Sequence, residues 1–206
     1  MFRALKIVFN ATIIVLAFIG FNAIGGQKYV EALKDGFCNI ISHYTQDSAR
    51  KIGDFSKMNE EFVIDNTMNL FGYKAVMAEH KASGQKMIIV DSGKKPLLTQ
   101  EELKNSDIDA KIKEASGKIK YRGAKVQEIS VTNRGTMEAF GQKVPYVKFE
   151  AKVTRAPISE IAGVVASVKT SDGSEKLALS ISEKKRYSQL ITNEFYKGVS
   201  ESVEKR

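Results

Sequence analysis

The 206-residue sequence has one cysteine and two histidines. With Cys38 alone, no intrachain disulfide forms, so stability must come from a hydrophobic core, which about 180 residues can build. Cys38 sits beside Phe37, Ile40 and Ile41 and reads as a small apolar residue, with an intermolecular disulfide or reactive thiol as the other reading. His43 and His80 share no metal-ligand spacing with each other or with any Cys, Asp or Glu, so neither a metal nor a cofactor is expected. There is no Gly-x-Ser-x-Gly elbow, phosphate-binding loop or dinucleotide fingerprint. The acidic pairs Glu60-Glu61 and Glu101-Glu102 are adjacent, and neighbouring side chains on a helix diverge by about 100°, which suits solvent rather than a shared proton. These gaps predict a protein that is not a conventional enzyme. A site assembled from distant residues is the alternative, with His80 and Cys38 as its candidates.

Charge is missing from Ile7 to Gly26. As a helix, twenty residues span roughly 30 Å, the thickness of a bilayer's hydrocarbon core. Eleven of the twenty are strongly apolar: Ile7, Val8, Phe9, Ile13, Ile14, Val15, Leu16, Phe18, Ile19, Phe21 and Ile24. At about −0.3 to −0.6 kcal/mol each, they favour insertion by roughly 3 to 6 kcal/mol at most. Arg3 and Lys6 are the only charges before the run, which predicts a cytoplasmic N-terminus and an exported remainder. Small residues at Ala23 and Gly25 also fit a signal-peptidase site, so a cleaved, secreted form is the alternative to a retained anchor.

Net charge is +8, and beyond Arg3 and Lys6 it comes from 30 basic against 24 acidic residues spread along the chain. Such charge suits a place beside anionic headgroups or simply a solvated surface. It lacks the basic stripe, aromatic interleaving and motifs of a nucleic-acid binder.

Apolar positions recur at helical spacing at Leu33, Phe37, Ile40, Ile41 and Tyr44, so 27–62 reads as a helical stalk or first helix of the domain. That face is the candidate contact for a partner protein or membrane complex, unless it is buried under its own sheet. From about Leu70 the period becomes two. Phe71–His80 and Lys86–Asp91 read as a hairpin, and Thr99-Gln-Glu-Glu102 as a capping box opening a helix through Leu103, Ile108, Ile112 and Ala115. Lys125–Asn133 and Thr136–Phe140 read as two strands broken at Asn133-Arg-Gly135. In Val144–Arg155, Val147, Phe149, Ala151 and Val153 alternate with charged residues and predict one buried face. Ala162–Lys169 and Lys176–Ser182 flank an Asp-Gly turn. Glu183 to about Val203 reads as a closing helix with Tyr187, Leu190, Ile191, Phe195 and Val199 on one face. Gly84, Gly93, Gly123, Gly135, Gly141 and Gly173 fall at expected turns.

The order of elements from Lys125 onward resembles PsbP-like domains, through Ala162–Val168, the Ser-Asp-Gly-Ser turn, Lys176–Ile181 and a helix bearing Tyr187, Leu190 and Phe195. That resemblance implies a non-catalytic accessory domain docked on a membrane complex.

The sequence therefore predicts an α+β protein in three parts: 1–26 an anchor or signal segment, 27–62 helical, and 63–206 an antiparallel sheet of about five to seven strands with packed helices. Its expected role is binding or scaffolding outside the cytoplasm, periplasmic or extracellular. The alternative is a module for a small apolar ligand or lipid, held between the Val147–Val153 face and the C-terminal helix in a cavity of roughly 300 Å³ or more.

Overall fold

A computed structural model describes residues 45–70, 73–93, 96–105, 107–108, 110, 120–121, 124–154 and 159–202. The segment 7–26, the face Leu33, Phe37, Ile40, Ile41 and Tyr44, and also Cys38 and His43 lie outside the described residues.

The period-two stretches join into one antiparallel sheet of eight strands. They are β1 (Phe62–Leu70), β2 (Tyr73–His80), β3 (Lys86–Asp91), β4 (Lys120–Tyr121), β5 (Ala124–Ala139), β6 (Gln142–Thr154), β7 (Glu160–Lys169) and β8 (Glu175–Glu183). The order across the sheet is β1-β2-β3-β8-β7-β6-β5-β4. Two meanders thus meet where β3 pairs with β8. Three short helices complete the described fold: α1 (Thr45–Arg50), α2 (Gln100–Lys104) and α3 (Gln189–Lys197), the last preceded by a 3-10 turn at Lys184–Arg186. The fold is α+β.

Alternation along the strands makes two cores. Ala75, Met77, Ile88, Val90, Leu177 and Leu179 face one side, where Leu97, Leu98, Leu103 and Ile108 cover them. Val76, Ala78, Met87, Ile89 and Ala178 face the other, under Ala49, Ile52, Phe195, Tyr196 and Val199. Central β8 is buried on both faces for this reason, with Leu177, Leu179 and Ile181 on one and Lys176, Ala178 and Ser180 on the other, whereas β6 buries Val147, Phe149, Ala151 and Val153 and leaves its other face largely polar. The Val147–Val153 face packs beneath α2 and its flanks, and α3 lies on the opposite face. The two surfaces between which a ligand cavity was expected do not face each other.

Several expectations need correction. The helix expected to run to Phe62 ends at Arg50; the chain then turns, bridges Asp54 to Ser200, and enters β1, which periodicity did not reveal. The break at Asn133-Arg-Gly135 does not exist. Strand β5 passes through it with register shifts at Val126/Glu128 and Val131/Asn133. Gly135 lies directly across from Tyr146, and a Cβ there would stand 2.9 Å from the tyrosine hydroxyl. The glycine makes room for a ring, not for a turn. Four other glycines do sit at turns, with φ of 70° at Gly84, 66° at Gly93, 73° at Gly141 and 80° at Gly173.

The closing helix is shorter than its apolar stripe suggested. Residues up to Glu183 belong to β8, Ser188 caps α3, and Leu190 is 79% exposed. The capping box is present as read: Glu102 N–H donates to Thr99 Oγ1 at 3.1 Å, and Thr99 N–H to Glu102 Oε2 at 2.9 Å.

A buried polar knot fixes α3 to the sheet. Gln85, wholly buried, donates from Nε2 to Ser180 Oγ (2.9 Å), Ser188 O (3.0 Å) and Thr192 Oγ1 (2.8 Å), and accepts from Ser188 N–H at 2.8 Å. Two N–H groups serve three acceptors, so at least one bond is shared. Tyr196 adds a second pin, its buried hydroxyl donating towards the carbonyls of Ile88 (3.1 Å) and Leu179 (2.6 Å). Gln85→Leu keeps the bulk but orphans the Ser188 N–H and removes the donor, so it should cost about 2–3 kcal/mol in urea unfolding. An unchanged midpoint would show the knot to be energetically idle.

Burial also pushes the Tyr187 phenol up to about 12 and the Tyr196 phenol higher. An unfolded phenol ionises near 10, so both residues favour the fold fully below that pH, and the advantage falls as pH rises towards 12. In an alkaline titration followed by tyrosinate absorbance, two phenols should ionise only with loss of the far-ultraviolet circular dichroism. Full ionisation of a still-folded chain would contradict this.

Candidate functional site

Where β5, β6 and β7 run beyond the cover of α3, the polar face of β6 opens into a cleft. Its volume is about 170 Å³, and Glu128, Ser130, Glu150, Ala151, Lys152, Glu160 and Lys184 line it. The sheet register sets these charges side by side: Lys152 stands between Glu128 on β5 and Glu160 on β7, and Glu150 stands across from Ser130. Lys152 Nζ lies 3.0 Å from Glu128 Oε2, and Lys184 Nζ lies 2.7 Å from Glu150 Oε2. Hydrogen bonding to those carboxylates raises both lysine pKa values, with Coulombic attraction second in each. The lysines are therefore firmly cationic near neutral pH and unsuited to act as bases.

Ligand pockets for drug-sized molecules run from about 300 to 1,000 Å³ and are mostly apolar. This cleft is smaller and charged. It fits one charged group better than a lipid tail. Open to solvent, its ion pairs add little to stability. Its residues come from four elements, and the one visible signal in the sequence was the Lys148-x-Glu150-x-Lys152 alternation on a wet face.

His80 is buried at 7% exposure at the end of β2. Its Nδ1 accepts from Ser83 N–H at 3.2 Å, which assigns the proton to Nε2, 3.4 Å from Glu61 Oε2. The ring also packs 5.2 Å from that of Phe62. His80 therefore orders the β2–β3 turn and is far from the cleft in the sheet. Of the acidic pairs, Glu102 completes the α2 capping box, and Glu61 meets His80. Among the described residues no helix is long and apolar enough to cross a membrane, and no group of three or more His, Cys, Asp or Glu is placed to hold a metal.

No family model matches the chain, and no curated protein matches it.

Proposed function

We propose that this protein is a membrane-anchored, extracytoplasmic α+β domain that acts by binding, as an accessory or scaffolding subunit of a membrane-associated protein assembly. The observation that carries this reading is the uncharged run Ile7–Gly26 behind Arg3 and Lys6. Two structural features support it. Ala49 and Ile52 are already in the core, so the domain is tethered within roughly 80 Å of a bilayer that holds the run. The polar cleft also supplies fixed charges of both signs, which favour recognition of a protein group.

Alkaline carbonate washing of membranes should leave the full-length chain in the pellet, and detergent should release it together with a partner identifiable by mass spectrometry. Recovery of the unprocessed chain in the soluble fraction would overturn the reading. An intact mass lacking the first 25 residues would replace the anchored form by the secreted one.

A further inference from the structure

We infer that Ser83, His80 and Glu61 form a nucleophilic triad that hydrolyses small activated esters. This activity is additional to the binding role proposed above and rests on neither the anchor nor the cleft.

The three side chains meet at the β2–β3 turn. Ser83 N–H donates to His80 Nδ1 at 3.2 Å, so that nitrogen carries a lone pair and no proton. Ser83 Oγ stands 2.9 Å from the same nitrogen, and its hydroxyl is therefore the donor of that pair. The ring proton is on Nε2, 3.4 Å from Glu61 Oε2. Hydroxyl to imidazole to carboxylate is the order of donors that a serine nucleophile needs, and such a set is recognised by geometry and roles, not by place in the chain. The base nitrogen here is Nδ1, so the ring is used the opposite way round from the common arrangement. The bond to Glu61 is long, as such bonds often are before substrate arrives.

The scaffold holds each member in place. His80 is nine-tenths buried, its N–H donates to the Gln85 carbonyl at 2.9 Å, and its ring packs on Phe62. Gln85 is fixed by the buried knot, and its own N–H donates to Ser83 Oγ at 3.2 Å, which favours negative charge on that oxygen. The Glu61 carbonyl accepts from Lys81 N–H at 2.8 Å, tying its backbone to the same turn. The turn itself is closed by backbone bonds from His80 to Gln85 and from Gly84 to His80, without the Ser83 hydroxyl. Ser83 is half-buried between Ala82 and Gly84, both exposed and small, so an acyl group has a path to Oγ.

In the reaction Ser83 Oγ adds to the acyl carbon as its proton passes to Nδ1. Once protonated, Nδ1 no longer accepts from Ser83 N–H, which is released as the oxyanion forms and is free to donate to it. The bond to the leaving alcohol then breaks, and Nδ1 hands the proton to that oxygen. Water attacks the acyl-serine by the same route, giving a carboxylic acid and restoring Ser83. Two other N–H groups of the turn are taken, Gly84 by the His80 carbonyl and Gln85 by Ser83 Oγ. With a single donor for the oxyanion, where each is worth about 10²–10³ in rate, the substrates are esters with good leaving groups. The open turn suits short acyl chains.

The test treats the full chain in detergent micelles with 4-nitrophenyl acetate, follows nitrophenolate release and locates the acetyl group by mass spectrometry. Ser83 should be acetylated at least about tenfold faster than exposed Ser56, and release should continue beyond one equivalent. Ser83→Ala should abolish the release, and His80→Gln should slow it about a hundredfold with the circular dichroism unchanged. Glu61 is a positioning residue. Because Ser83 N–H already sets the tautomer, Glu61→Gln should cost only about tenfold in kcat and leave KM unchanged. Should Ser83→Ala or His80→Gln fail to fold, Ser83→Cys keeps the nucleophile and should react with iodoacetamide at least about tenfold faster than Ser56→Cys. Acetylation of Ser83 no faster than of Ser56, or an unchanged rate in folded His80→Gln, would overturn the inference. So would equal alkylation of the two cysteine variants. Acetyl-Ser83 that accumulates without further release would overturn the hydrolysis.

Discussion

Gly163→Ala should destabilise the domain by about 3 kcal/mol, read as a fall of roughly 10 °C in melting temperature for a domain of this size. Gly163 lies in β7, directly across from Phe149 in β6. A Cβ there would stand 2.7 Å from Phe149 Cζ and would run into the Ser180 carbonyl of β8. The ring can turn a little; the carbonyl belongs to a backbone pairing in the centre of the sheet and cannot. The usual penalty for a glycine within a strand is therefore inverted at this position. Phe149→Leu in the same background should recover part of the loss, because it removes the ring contact and leaves the backbone one. A Gly163→Ala variant as stable as the parent would mean that β7 and β8 are not packed as described.

The second large effect is expected at Ile52. Its side chain is 1% exposed in the core beneath α3, and its carbonyl accepts from the buried Lys176 ammonium. Ile52→Ala should cost about 2–5 kcal/mol through lost burial and the cavity left behind. Ser56→Ala, a few residues on, is exposed and should change stability by less than about 0.5 kcal/mol. The comparison separates two pictures of the lead-in. A stalk would tolerate both changes, whereas a segment built into the core tolerates only the second. Chemical denaturation of the two variants in detergent, followed by circular dichroism, reads the difference.

What the sequence disclosed followed from local rules. The alternation through Val147–Val153, the capping box at Thr99 and the Asp172-Gly173 turn each depend on neighbours a few residues away, and each lies where it was read. The errors arose where a distant residue decided the outcome. Gly135 resembled a break because nothing nearby announces that Tyr146 will lie across it. Phe62–Leu70 gives little alternation because β1 is an edge strand, with Val63 44% exposed and a bulge at Ile64/Asn66. The stripe Tyr187, Leu190, Ile191, Phe195, Val199 suggested one long helix, yet Phe195 and Val199 are buried while Leu190 stands in solvent. Gln85 would be dismissed as a surface residue in a turn; only the arrival of α3 more than a hundred positions later buries it. Of the charged cleft only the wet alternation through Glu150 and Lys152 was legible, since its carboxylates and lysines meet only through strand register.

The chain's placement is tested most directly by protease added to the outside of intact spheroplasts. The anchored, exported domain predicts digestion of the chain from Gln27 onward while cytoplasmic controls survive, with the short segment around Arg3 and Lys6 appearing only after lysis. Complete protection of the chain until the membrane is broken would contradict the account.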